Sequence, residues 1–165
     1  MSESEMGLAA EKRQETPGDI GRVVALLGGP AVLKVRINNR LDAHNVIEKG
    51  FPSAVLSKLV SNVALIKDDE ALQKALGISK RTLYRRQGGD AAKNLSKEQS
   101  GRTWRFAEIL AKAIGIFGSK EEAEHWMEEP AIGLNRERPI DLLSTTAGTE
   151  LVDTYLDQIE YGVYV

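Results

Sequence analysis

Between Ser79 and Arg86 the chain sets Lys80, Arg81, Arg85 and Arg86 among three hydroxyl side chains, Ser79, Thr82 and Tyr84. Clustered on one short helix, side chains of these types neutralise phosphates and offer hydrogen bonds to base edges. Phosphate neutralisation supplies most of the affinity of such a surface, while Lys80, Arg81, Thr82 and Arg85, in the early turns of a helix, are placed to reach bases. Ser79, Lys80, Arg81, Thr82, Tyr84, Arg85 and Arg86 are therefore the candidate DNA-binding residues; the competing reading is a solvated cationic helix face. Lys93, Lys97, Arg102 and Arg105 extend the stretch to eight basic residues against Asp90 and Glu98, whereas residues 106–165 carry four basic and twelve acidic side chains. The formal net charge of −2 hides this polarity, which bears on binding and not on fold.

A second candidate surface is apolar. The run Tyr161, Gly162, Val163, Tyr164, Val165 follows a helical pattern that displays Tyr155, Leu156 and Ile159. These eight residues either pack on their own domain or insert into a partner, where aromatic side chains supply large buried area at small entropic cost. Each apolar side chain fully buried in a partner would contribute about 1.5–3 kcal/mol before ordering costs. Catalysis has little support. His44 and His125 stand alone, no paired-histidine metal motif or phosphate loop occurs, and the absence of cysteine removes disulfides, thiolate metal sites and thiol nucleophiles. No catalytic residue, metal ligand or cofactor is expected. The first residues are polar and of mixed charge, with neither the apolar stretch of a secretory leader nor a membrane span, so a cytosolic protein with a flexible arm over residues 1–19 is expected.

The elements that would hold these surfaces read as helices. With 165 residues, 42% of them hydrophobic, the chain can bury a core as one domain or two small ones sharing an interface. Val23, Val24, Leu26 and Leu27 form an apolar element broken by Gly28, Gly29 and Pro30, and the alternation Leu33-Lys34-Val35-Arg36-Ile37 fits either a short strand or the start of a helix. Asp42 is placed to cap a helix that Gly50 stops, and Phe51-Pro52-Ser53 opens another. Asp68, Asp69 and Glu70 put negative charge at the start of a third helix, where backbone N–H groups are unpaired. Gly77 in a tight turn, Ile78, an N-cap at Ser79 and Leu83 then give helix-turn-helix spacing over residues 68–88. Gln73 is a departure, since many such motifs have a small residue four places before the turn glycine. Gly88, Gly89 and Asp90 end the basic helix. Ser96 and Gln99 have capping-box spacing ahead of a long helix expected from about Gly101 to Ile116, Ser119 caps a helix ended by Pro130, and a last helix is expected from about Thr149 to Ile159.

Taken in order, Ile78-Ser79, Arg81-Thr82-Leu83, Arg85-Arg86, Leu95-Ser96, Ser100, Arg102, Arg105, Phe117-Gly118, Ala123, Trp126, Pro130, Leu134, Pro139-Ile140-Asp141-Leu142-Leu143, Gly148, Val152 and Ile159-Glu160-Tyr161-Gly162-Val163 resemble the Xre/MbcA/ParS antitoxins, in particular those paired with RES-domain toxins. The resemblance covers about residues 30–165. One loop departs from it, reading Asn135-Arg136-Glu137-Arg138 where the family often has a glycine-rich turn. The resemblance implies an all-α or nearly all-α chain with a helical region over residues 20–100 and a toxin-binding domain over residues 101–165. It also implies neutralisation of a cognate RES toxin, a class associated with NAD consumption, and repression of the shared operon by binding operator DNA. Tyr155, Leu156, Ile159 and Tyr161 to Val165 would then be the toxin-binding residues, and the acidic balance of this half would suit an electropositive dinucleotide pocket. A homodimer is expected, because paired recognition helices multiply affinity. The alternative is a solitary helix-turn-helix regulator whose C-terminal part dimerises or senses a ligand.

Overall fold

Capping and burial divide the chain into helices, and one long helix organises the rest. The computed structural model describes residues 17–162, so the segment expected to be an arm lies outside it up to residue 16. Its last three residues begin helix α1, Pro17–Leu26. There follow α2 (Gly29–Leu33), α3 (Arg40–Lys49), α4 (Ser53–Asn62), a 3₁₀ turn (Ala64–Lys67), α5 (Asp69–Leu76) and α6 (Lys80–Gln87). The chain continues through α7 (Lys97–Phe117), α8 (Lys120–Glu128), a second 3₁₀ turn (Ile132–Leu134), α9 (Pro139–Leu142) and α10 (Thr146–Glu160). Among the described residues there is no strand, only two isolated bridges, so the fold is all-α as expected. The alternating stretch from Leu33 to Ile37 is neither strand nor helix start: α2 ends at Leu33, and Lys34 turns the chain at φ 62°. Leu33 and Ile37 are buried while the residues between them face solvent.

Helix α7 spans 21 residues, about 31 Å at 1.5 Å per residue. It starts four residues before the expected position, because Ser96 and Gln99 form the full capping box: Gln99 N–H donates to Ser96 Oγ at 3.0 Å, and Ser96 N–H to Gln99 Oε1 at 3.1 Å. Gly118 ends it in the left-handed conformation at φ 94°. Phe106, Ala107, Ile109, Leu110 and Ala113 are buried along it, and α1, α3, α5, α8 and α10 pack around it. The division expected at residues 100/101 falls inside this helix, and the buried apolar side chains on both sides of it form one cluster. The polar side chains within the core have assigned jobs. Ser100 Oγ accepts from Phe51 N–H at 2.8 Å, and Glu124 Oε1 accepts from Leu65 N–H at 2.7 Å, which satisfies the start of the first 3₁₀ turn.

Several helix ends follow local sequence. Asp68, Ser79 and Ser119 cap α5, α6 and α8 through their side chains. The cap of α3 is Asn39, not Asp42: Asn39 Oδ1 accepts from Asp42 N–H at 2.8 Å, while Asp42 reaches back to Asn38 N–H at 2.9 Å. Gly50 stops that helix at φ 85°, and a Cβ there would lie 2.2 Å from the Leu95 carbonyl oxygen, so the position needs glycine for space as well as conformation.

Candidate functional site: a nucleic-acid face and a protein face

Helices α5 and α6 form a helix-turn-helix. Gly77 takes φ 66°, Ile78 and Leu83 are buried, and Asp69 Oδ1 accepts from Lys80 N–H at 2.9 Å, which ties the start of α6 to the start of α5. Gln73, the departure from the usual small residue, is exposed and donates from Nε2 to Asp69 Oδ2 at 3.0 Å, so its size meets no steric obstacle. A Cβ on Gly77 would sit 2.4 Å from Arg102 Nη1. That arginine comes from α7, where its Nη2 donates to the carbonyls of Lys74 at 2.8 Å and Leu143 at 3.4 Å. It therefore closes the C-terminal end of α5 and links it to the segment after α9.

The seven candidate DNA-binding residues separate by task. Lys80, Arg81, Tyr84 and Arg85 face solvent, Tyr84 at 65% exposure, and none of the three cations has an ion-pair partner among the described residues. Ser79 serves the helix cap, accepting from Thr82 N–H at 3.2 Å, and its hydroxyl donates to Thr82 Oγ1 at 3.2 Å. Arg86 is half-buried and donates to the Asn94 carbonyl at 3.2 Å. The other four cations of the basic stretch do not join this face as bare charges. Lys93 pairs with Asp90 at 3.3 Å, Lys97 with Glu48 at 2.8 Å and Arg105 with Asp153 at 3.3 Å, while Arg102 turns inward.

The C-terminal half builds a different surface. Phe117, Trp126 and Tyr155, from α7, α8 and α10, make a half-buried aromatic row with centroid spacings of 5.2 and 6.1 Å. The Tyr155 ring lies over Gly133, where a Cβ would approach it to 2.2 Å, and beside it Ile132 is 86% exposed. Neither Trp126 nor Ile132 is among the candidate toxin-binding residues read from the sequence; an isoleucine beside a glycine in a loop is the available signal for Ile132. Leu156, expected to contact the toxin, is 0% exposed and belongs to the core, so it cannot touch a partner directly. Helix periodicity explains this: Val152 and Leu156 face α7, leaving Tyr155 and Ile159 at the margin, half-buried. Tyr161 is 76% exposed, and Gly162 at φ 69° turns the chain beyond it. Val163, Tyr164 and Val165 lie outside the described residues.

Internal ion pairs shrink the acidic surface of this half. Lys112 Nζ lies 2.7 Å from Asp153 and 2.6 Å from Asp157. Burial works against the Lys112 charge, yet the hydrogen bonds to the two aspartates outweigh it and raise its pKa. Asp141 accepts two hydrogen bonds from Arg138, at 2.9 and 2.8 Å, and one from Lys74 of α5 at 2.7 Å. The Arg138 guanidinium, against some desolvation and with help from Lys74, holds its carboxyl down at about 2. The remaining exposed acids include Glu121, Glu122, Glu128, Glu129, Glu150 and Glu160. Asn135 and Arg136 adopt φ 56° and 63°, and Glu137 N–H donates to the Leu134 carbonyl at 3.0 Å. A tight turn is thus made without glycine. Among the described residues no group of His, Asp or Glu could hold a metal ion, and no helix is long and apolar enough to cross a membrane.

This architecture, an exposed cationic recognition helix joined through one core to an aromatic, acid-rimmed helical half, is that of a helix-turn-helix antitoxin. Residues 42–108 match the antitoxin Xre-like helix-turn-helix domain, and residues 112–162 match the antitoxin Xre/MbcA/ParS C-terminal toxin-binding domain. The chain is 30% identical over 141 residues to the antitoxin Xre of Pseudomonas putida, a match covering 86% of this chain and 82% of that protein. It is 28% identical over 135 residues to the Prs ADP-ribosylating antitoxin of Sphingobium sp., covering 75% and 81%. The chain belongs to the Xre/MbcA/ParS antitoxin family.

Proposed function

We propose that this antitoxin neutralises a RES-domain toxin that consumes NAD, and represses its own operon as a homodimer. The observation that carries the neutralisation half is the end of α10: Tyr155 and Ile159 sit at the margin of the core, Tyr161 stands clear of it, and Gly162 takes φ 69°. A helix anchored by Val152 and Leu156 holds these side chains where a partner can bury them. In this reading Tyr155, Ile159 and Ile132 dock on the toxin, and Tyr161 with Gly162, Val163, Tyr164 and Val165 enters its active-site cleft and excludes the dinucleotide. The name of the Sphingobium relative refers to ADP-ribosylation, a chemistry that uses NAD, which supports this substrate class. The repression half rests on Lys80, Arg81, Tyr84 and Arg85 facing outwards from α6.

Co-expression with the product of the neighbouring gene, read by cellular NAD, tests neutralisation. The full chain should preserve NAD, and a chain lacking Tyr161 to Val165 should associate with toxin yet fail to protect. Full protection by the shortened chain would move the inhibitory surface to the aromatic row and Ile132. Light scattering on the antitoxin and on its complex should show at least two copies; a monomer in both states would remove the dimer.

A further inference from the structure

Helix α6 is eight residues long, about 12 Å, and carries three outward cations plus Arg86 at its end. So short a helix reads few bases, and the pairing of Lys93, Lys97 and Arg105 and the inward turn of Arg102 take four charges from the surface the sequence suggests. A second group of cations compensates. Lys34, Arg36 and Lys49 line one open groove together with Asn94, the residue whose carbonyl receives Arg86 from the recognition helix. The groove therefore begins where α6 ends. All three cations are exposed, and none has an ion-pair partner among the described residues. The carboxylate in the groove, Asp42, is engaged with Asn38 N–H at 2.9 Å. The wall is open and cationic, and its residues come from three separate places: the turn after α2, the last turn of α3 and the loop after α6.

We infer that Lys34, Arg36 and Lys49 form a phosphate clamp that continues the DNA footprint past the C-terminal end of the recognition helix. This rests on the DNA-binding reading of α6. Charge complementarity and continuity with α6 favour the duplex backbone as occupant. Such a clamp adds affinity for any sequence and leaves base preference to α6.

The test uses the full chain with Lys34→Asn, Arg36→Gln and Lys49→Gln combined, asparagine being chosen because Lys34 occupies the left-handed region. Lys49 lies in the last turn of α3, where a cation favours the helix, so a Lys34→Asn/Arg36→Gln variant and thermal melts accompany it. Fluorescence anisotropy with an operator duplex and a scrambled duplex is measured across salt concentrations. Each lost phosphate contact should reduce the magnitude of the log–log salt slope by about 0.9. At 0.15 M salt, both duplexes should lose affinity on the order of a hundredfold per protomer for the triple variant, and their ratio should stay constant. A wild-type slope in the folded variant would overturn the clamp while leaving α6 intact, and so would a changed operator preference. A variant that keeps its DNA affinity but loses the toxin would assign the groove to the protein partner. Absence of DNA binding by the wild type would overturn both readings at once.

Discussion

Arginines from one stretch of sequence do opposite things in the two regions of this molecule. On the recognition helix, Arg81 and Arg85 face water with no ion-pair partner among the described residues; on α7, Arg102 closes the end of α5 and Arg105 pairs with Asp153. The C-terminal half treats its charges as α7 does, with Lys112 between two aspartates and Asp141 between two cations. Its outward signal is aromatic and aliphatic instead. Unpaired cations beside the exposed Tyr84 distinguish the first face, and the exposed Ile132 and Tyr161 beside the aromatic row distinguish the second. Charge count along the chain measures neither.

The sharpest way to break this contrast is to remove the free cations. Arg81→Ala combined with Arg85→Ala should lower operator affinity by about 2–6 kcal/mol, enough to abolish a gel shift, while toxin neutralisation and fold survive. An unchanged shift would mean that α6 is not the reading element.

A core substitution should cost less and act through stability alone. Leu156→Ala should destabilise the fold by about 2–5 kcal/mol in urea unfolding, whereas Tyr161→Ala leaves the midpoint near that of the wild type. If Leu156→Ala leaves stability untouched and weakens only toxin binding, its burial in the core is not its role.

Smaller again is the effect expected at the inward arginine. Arg102→Met leaves two carbonyls short of a donor and should lower stability by about 1–3 kcal/mol, yet the salt slope of DNA binding should not move. A flatter slope would return Arg102 to the DNA face.

The mildest test concerns Asp141. Its carboxyl titrates near 2 in the folded protein against an ordinary 3.8, so its charged form stabilises the fold above about pH 4, and that contribution fades as the pH falls through about 2. The melting temperature of Asp141→Asn should therefore lie below that of the wild type at neutral pH, with the gap closing between about pH 4 and pH 2. A gap that is constant with pH would show that the ion pairs with Arg138 and Lys74 contribute nothing.

What the sequence made legible was local. Ser79, Ser96 with Gln99, Ser119, Gly50, Gly77 and Gly118 are readable because caps and stops are decided by residues one to four places apart. The partners of Arg102 are 28 and 41 positions away, and the two cations on Asp141 come from different halves; no periodicity reports such distances. Leu156 was misjudged for the related reason that Tyr155, Leu156 and Ile159 all look apolar in a row, and only the position of α7 decides which of them is covered. No helix is expected from the sequence at α9, because four helical residues carry too little pattern to register.

Helix α7 serves both halves as a shared axle, and this fixes their relative setting by residue count. Each residue of an α-helix advances about 1.5 Å and rotates about 100°. Inserting or deleting a single residue between Arg105 and Lys112 would swing one face around the axle by over a quarter turn, out of step with Asp153 and the Lys74–Asp141 joint. The spacing along that segment is a gear ratio: homologous halves can be recombined only at junctions that conserve its phase.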